Sequence, residues 1–304
     1  MVEKVIVAID GGTASTAALD WALDRVMTLE RMQGTPVSLE LTTVVELGWY
    51  PAEGSDYSSQ PAYERALAEA IRRVEQVAPT CRKTGYIRHG VPVDELARAS
   101  STADLLVVGT KKTGVLAGTV FGTLPLRLAA HARCPVVVVP VTWQPRGGSI
   151  VVGMEDDVTA LVAVDFAARE AERFHLPLDI VHSWLIPATV AVEYGAVLPY
   201  EEMRNAHAAL LSGATRRVRN AHPGLHITEV LEQGTAASAL VGASRGASLL
   251  VVGTHGRGAV GSLFLGSVSH DVLMNLPCPV AVVPRPDREP AVSQPGAAEK
   301  GARR

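Results

Sequence analysis

Short runs of consecutive apolar residues recur along the chain, separated by longer helix-compatible stretches. Val5 to Ile9, Leu105 to Val108 and Val136 to Val139 contain no polar residue. A strand with one wet face alternates apolar and polar positions, so unbroken runs belong to strands buried on both faces, as in a parallel sheet flanked by crossover helices. The pattern predicts strands at 4–9, 37–45, 84–88, 104–108 and 135–139, with helices near 14–31, 61–78, 92–101 and 122–132. A second set of strands is predicted at 149–154, 178–184, 226–231, 248–252 and 279–283, with Pro223-Gly224 breaking the chain before the third.

The two sets are an internal repeat. Ala103 to Thr110 matches Ala247 to Thr254, and Cys134-Pro135-Val136 matches Cys278-Pro279-Val280, both at an offset of 144. Val5 to Asp10 matches Ile150 to Glu155 at an offset of 145, which also lays Trp21 on Phe166. The expected organisation is a first domain over 1–141, a linker over 142–148, a second domain over 149–285 and a disordered tail over 286–304. The expected fold class is α/β: two tandem, doubly wound, Rossmann-like domains, each with a five-stranded parallel sheet. Such sheets bind ligands at the carboxyl ends of strands where the strand order reverses, here after strands one and four of each repeat. The last strand of each repeat would be an apolar sheet edge, so it should be covered by the other repeat or a second chain, giving a pseudo-twofold unit.

Composition narrows the functional classes. With 31 acidic and 28 basic residues the formal charge is −3, and no Lys/Arg stripe appears, which argues against nucleic acid as a partner. No apolar run approaches the roughly 18 residues of a membrane span, and the first residues lack a leader pattern, so a cytoplasmic protein without a membrane partner is expected. Cys81, Cys134 and Cys278 are too scattered for a disulfide framework or a metal site.

The chemistry concentrates after strand four of the second repeat. Gly253 and Gly256 are followed, after nine intervening residues, by Gly266 and Ser267, where a helix begins. Ser267 and Ser269 are expected to cap its first turn, and a helix N-terminus approached through glycines is a phosphate site. Here the sequence resembles the universal stress proteins, across nearly all of residues 1 to 285. ATP-binding members of that family carry G-x2-G-x9-G-[S/T], which Gly253, Gly256, Gly266 and Ser267 match in full. An Asp ending strand one, here Asp10, and a closing Cys-Pro-Val-x-Val-Val segment in both halves fit the same family. The resemblance implies an adenine nucleotide alpha hydrolase-like fold that holds ATP, with Mg²⁺ on the phosphates. Adenine and ribose would lie near strands one and two, and the phosphates on the glycine loop.

Each half departs from the pattern. Repeat one keeps Asp10, Gly109, Gly122 and Thr123, but Lys112 stands at the second glycine position and Pro125 replaces the second capping hydroxyl. Repeat two has the intact loop but carries Glu155 for the Asp. The stronger site is therefore expected in repeat two, with Arg257 as a further phosphate contact and His255 within the same loop. Three functions stay open at this point. They are a nucleotide-dependent regulatory protein, acting as a homodimer and at most a slow ATPase; a nucleotide-free scaffold for an unknown protein partner; and an adenylate-forming or pyrophosphatase enzyme, for which no further catalytic acid or base is found. Other motifs are decoys. Gly256 to Gly261 spells a dinucleotide fingerprint in the wrong place, and Gly242-Ala243-Ser244-Arg245-Gly246 spells a nucleophile elbow between a helix and a strand, the reverse of the required context.

Overall fold

The computed structural model describes residues 2–46, 60–111, 123–186, 200–254 and 265–285. The first set of elements is β1 (Glu3–Ala8), α1 (Thr13–Gln33), β2 (Val37–Val45), α2 (Gln60–Val77), β3 (Arg82–His89), α3 (Pro92–Ala99), β4 (Leu105–Thr110), α4 (Thr123–His131) and β5 (Val136–Pro140). The second is β6 (Ile150–Gly153), α5 (Val158–Phe174), β7 (Leu178–Trp184), α6 (Tyr200–Ala221), β8 (Ile227–Gln233), α7 (Ala236–Ala243), β9 (Leu249–Gly253), α8 (Ser267–Met274) and β10 (Val280–Val283). Every expected strand is present, with its ends moved by at most two residues. The third helix stops at Ala99 and is followed by a 3₁₀ turn over Ser100–Thr102.

Rather than two separate sheets, the strands form one ten-stranded sheet in the order β3-β2-β1-β4-β5-β10-β9-β6-β7-β8. Within each half all neighbours are parallel; β5 and β10 pair antiparallel and join the halves. The apolar edges expected to need covering thus cover each other. Val137 pairs with Ala281, its own counterpart at the repeat offset of 144, while Val136 pairs with Val282 and Val138 with Val280. A pseudo-twofold axis therefore passes between Val137 and Ala281, both fully buried.

Apolar residues pack on both faces of the sheet, which is why the strand runs are unbroken. Val5 and Val7 face a layer holding α1, α2, α5 and α6, while Ile6 between them faces α3, α4, α7 and α8. The layer is sealed at the axis by charge. On α1, the Arg25 guanidinium reaches the Glu170 carboxylate of α5 at 2.5 and 2.9 Å and Glu3 of β1 at 2.7 Å. Arg173 joins from α5, 3.1 Å from each Glu3 oxygen. Arg25 also lies over the Phe174 ring at 5.0 Å and the Trp21 ring at 5.9 Å.

Candidate functional site

In repeat two the carboxyl ends of β6 and β9 open into a cleft of about 230 Å³. One wall is the turn after β6, with Met154, Glu155 and Asp157; a second is the start of α8, Gly266 to Ser269, and Ser183 and Leu240 also line the cleft. This is the position that reversal of strand order predicts, since β6 lies between β9 and β7.

The first wall is held by short-range hydrogen bonds. Asp157 caps α5: its Oδ1 accepts from the backbone N–H of Thr159 at 2.8 Å and of Ala160 at 2.9 Å, and from the Thr159 hydroxyl at 2.6 Å. Glu155 folds back, accepting the N–H of Asp156 at 3.0 Å. Behind the turn, His182 on β7 is buried, with Nδ1 3.0 Å from the Met154 carbonyl and Nε2 2.8 Å from Nδ1 of His207 on α6. A carbonyl only accepts, so Nδ1 carries the proton; in neutral His182, Nε2 then accepts from His207.

The second wall corrects the expected capping. Gly266, not a serine, is the N-cap residue of α8, and among the described residues no side chain caps the helix. Ser269 is buried and its hydroxyl donates backwards, to the carbonyls of Thr254 at 3.4 Å and Gly266 at 3.3 Å. Ser267 opens the helix and lines the cleft. Gly266 has φ −63°, an ordinary value, so no left-handed backbone requires a glycine there. The Gly266 N–H donates to the Thr254 carbonyl at 2.7 Å, which draws the two ends of the glycine loop together. Gly256, Arg257 and His255 within that loop lie outside the described residues, as do Lys112 and Gly122 of repeat one and the 286–304 tail.

Repeat one is built alike but filled differently. Asp10 Oδ1 accepts the Gly12 N–H at 2.8 Å, and Gly12 is the N-cap of α1 with no side-chain cap. Gly11 between them takes φ +78°, and a Cβ there would stand 2.9 Å from Ala66 of α2. Thr43 does the work of His182: its hydroxyl donates to the Ile9 carbonyl at 2.9 Å, and strand register puts the two side chains at matching places, four residues beyond Leu39 and Leu178. Thr123 opens α4. Gly109 and Gly253 serve packing in both halves. A Cβ on Gly109 would fall 1.9 Å from the Ala14 carbonyl oxygen, and one on Gly253 would fall 3.0 Å from the backbone of Thr159. Each lets the first turn of α1 or α5 rest on the strand end.

The structure thus brings Glu155, Gly253, Gly266, Ser267 and Ser269 to one cleft, with Asp10 and Gly109 at the equivalent end of repeat one. His182 and His207 carry no motif in the sequence; the one available signal was a histidine at an inward position of β7, between Ile180 and Trp184. Ser244, in the decoy elbow motif, is buried at the end of α7 with its hydroxyl donating to the Leu240 carbonyl at 2.6 Å.

With this geometry in hand, comparison with known proteins decides the lineage. A family model described as the Universal stress protein family matches residues 1–140 and again 148–284. The chain belongs to the universal stress protein family. Universal stress protein Rv1996 of Mycobacterium tuberculosis is 27% identical over 312 residues, covering 95% of this chain and 96% of that protein. Universal stress protein Rv2005c of the same organism is 27% identical over 292 residues, covering 91% and 96%. Among solved structures, a universal stress protein from Archaeoglobus fulgidus aligns over 94% of this chain and 97% of its own, with a TM-score of 0.66 at 17% identity. A functionally unknown Pseudomonas aeruginosa protein, PA1789, aligns over 93% of each chain with a TM-score of 0.59 at 16% identity. These structural likenesses speak for the tandem fold. Among the described residues no helix is long and apolar enough to cross a membrane.

Proposed function

We propose that this universal stress protein is a nucleotide-dependent regulatory protein of the cytoplasm that binds ATP in the cleft of repeat two. The observation that carries the reading is that the N-terminus of α8, with no side-chain cap among the described residues, lines the same cleft as Glu155. Backbone N–H groups and the positive end of the helix dipole suit phosphate oxygens, and Gly266 leaves room for them. Glu155 would accept hydrogen bonds from the nucleoside hydroxyls, while Ser267, Gly256 and Arg257 complete the phosphate side. Among the described residues no group of three or more His, Cys, Asp or Glu could hold a metal, so Mg²⁺ would arrive on the phosphates instead of in a protein cage.

Repeat one would bind more weakly, since Lys112 and Pro125 interrupt its motif and Gly11 is packed against Ala66. The protein would act by occupancy rather than turnover, with hydrolysis slow at most, and would present its occupied and empty states differently to a protein partner. Mass spectrometry of small molecules released from the purified protein tests the reading. Released adenine nucleotide supports it; none released, with no uptake of added ATP, supports a nucleotide-free scaffold.

A further inference from the structure

Arg25 and Glu170 are 145 residues apart, the same offset that lays Val5 to Asp10 on Ile150 to Glu155. They are therefore one position of the repeat, seen twice, meeting itself across the pseudo-twofold axis. In a symmetric pair of identical domains such a position meets an identical residue. Repeat one against its own copy would set Arg25 against Arg25; repeat two would set Glu170 against Glu170. Both side chains are almost wholly buried, 4% and 6% exposed, so water and salt would do little to screen like charges. The neighbours add to the asymmetry. Glu3 comes from repeat one and Arg173 from repeat two, and the places that correspond to them by the same offset hold Gly148 and Thr28. A self-pair of repeat two would deprive Arg173 of both its Glu3 contacts.

We propose that the axis face of each repeat is a selective docking surface that accepts the other repeat and rejects its own copy. Apolar strands β5 and β10 alone give no rule of charge, because Val136 to Val139 and Val280 to Val283 are both uncharged and differ only in Val137 against Ala281. The Arg25–Glu170 pair supplies it. Without the rule, repeat one could pair with repeat one of a second chain and repeat two with repeat two of a third, linking chains without end. With it, each chain closes on itself, helped by the high local concentration the short linker confers. The partner this face fits is a domain with a carboxylate at the position of Glu170 and a guanidinium one helical turn later.

Full-length charge-reversal variants test this. Arg25→Glu and Glu170→Arg each place like charges on the axis, and the double reversal Arg25→Glu/Glu170→Arg restores opposite ones. The double variant should match the parent in size by light scattering and recover part of the urea resistance that each single variant loses. The remainder is lost because Glu3 and Arg173, which contact Arg25 and Glu170, are not reversed with them. An equimolar refolded mixture of the two single variants, one isotope-labelled, should yield a mixed dimer with domains exchanged between chains, at least tenfold over either self-dimer by native mass spectrometry. If the single variants prove insoluble alone, co-expression should recover them as that mixed dimer. The proposal is overturned if the double variant is as weak as the singles, or if self-dimers form as readily as mixed ones.

Discussion

Nδ1 of His182 lies 3.0 Å from the carbonyl oxygen of Met154, the residue that leads into Glu155 and the wall of the cleft. Thr43 makes the equivalent bond to Ile9 in repeat one with a hydroxyl. Removing either donor leaves a buried carbonyl without its partner, a loss of about 1–3 kcal/mol. His182→Leu and Thr43→Val should therefore both lower stability in urea unfolding. Only His182→Leu should also weaken ATP binding, because only repeat two has the intact loop. Equal loss of affinity in the two variants would place the working site elsewhere.

The strand-end glycines make a graded prediction. Gly109→Ala brings a methyl to within 1.9 Å of the Ala14 carbonyl oxygen, a distance no relaxation of side chains relieves; Gly253→Ala meets Thr159 at 3.0 Å. Overpacking of this kind costs about 1–3 kcal/mol, so Gly109→Ala should be the less stable variant by denaturant titration. A reversed order would contradict the account of these residues as seats for helices α1 and α5.

Acid should weaken the ion pairs at the axis. Burial pushes the Glu3 carboxyl up, but Arg25 and Arg173 more than offset it and hold the group below its ordinary value of 4.5. A carboxyl whose folded value is depressed contributes stability that is fully present above the unfolded value and fades as pH falls through the folded one. Glu3→Gln should therefore be less stable than the parent at pH 7, with the difference shrinking steadily as pH drops below about 4.5. A difference that stays constant from pH 7 to pH 3 would mean that Glu3 contributes through packing, not charge.

The fold was legible because its central strands β1, β4, β5, β6, β9 and β10 are apolar on both faces, and the same runs identified β5 and β10 as edges in need of cover. The site was legible in part. Gly253, Gly266 and Ser267 converge on the cleft, yet the capping expected of Ser267 and Ser269 is absent: Ser269 is turned inward to Thr254. A glycine in a motif does not reveal its reason, and Gly109 and Gly253 serve the approach of a helix while Gly266 keeps an ordinary φ. Arg25 and Glu170 were not foreseen, because charged residues inside an amphipathic pattern read as a solvated face until the partner helix is known. His182 was hidden for the opposite reason, lying where strand periodicity demands an apolar side chain.

The central claim is that ATP sits against the start of α8, and calorimetric titration of ATP into the parent and Gly266→Val tests it most directly. Because φ of Gly266 is −63°, valine adopts the backbone without strain and the variant should keep its circular dichroism. Its isopropyl group would occupy the approach to the helix N-terminus. The parent should give a saturable heat, and the variant an affinity at least tenfold lower, about 1.4 kcal/mol. An unchanged ATP affinity in a folded Gly266→Val protein would contradict that claim.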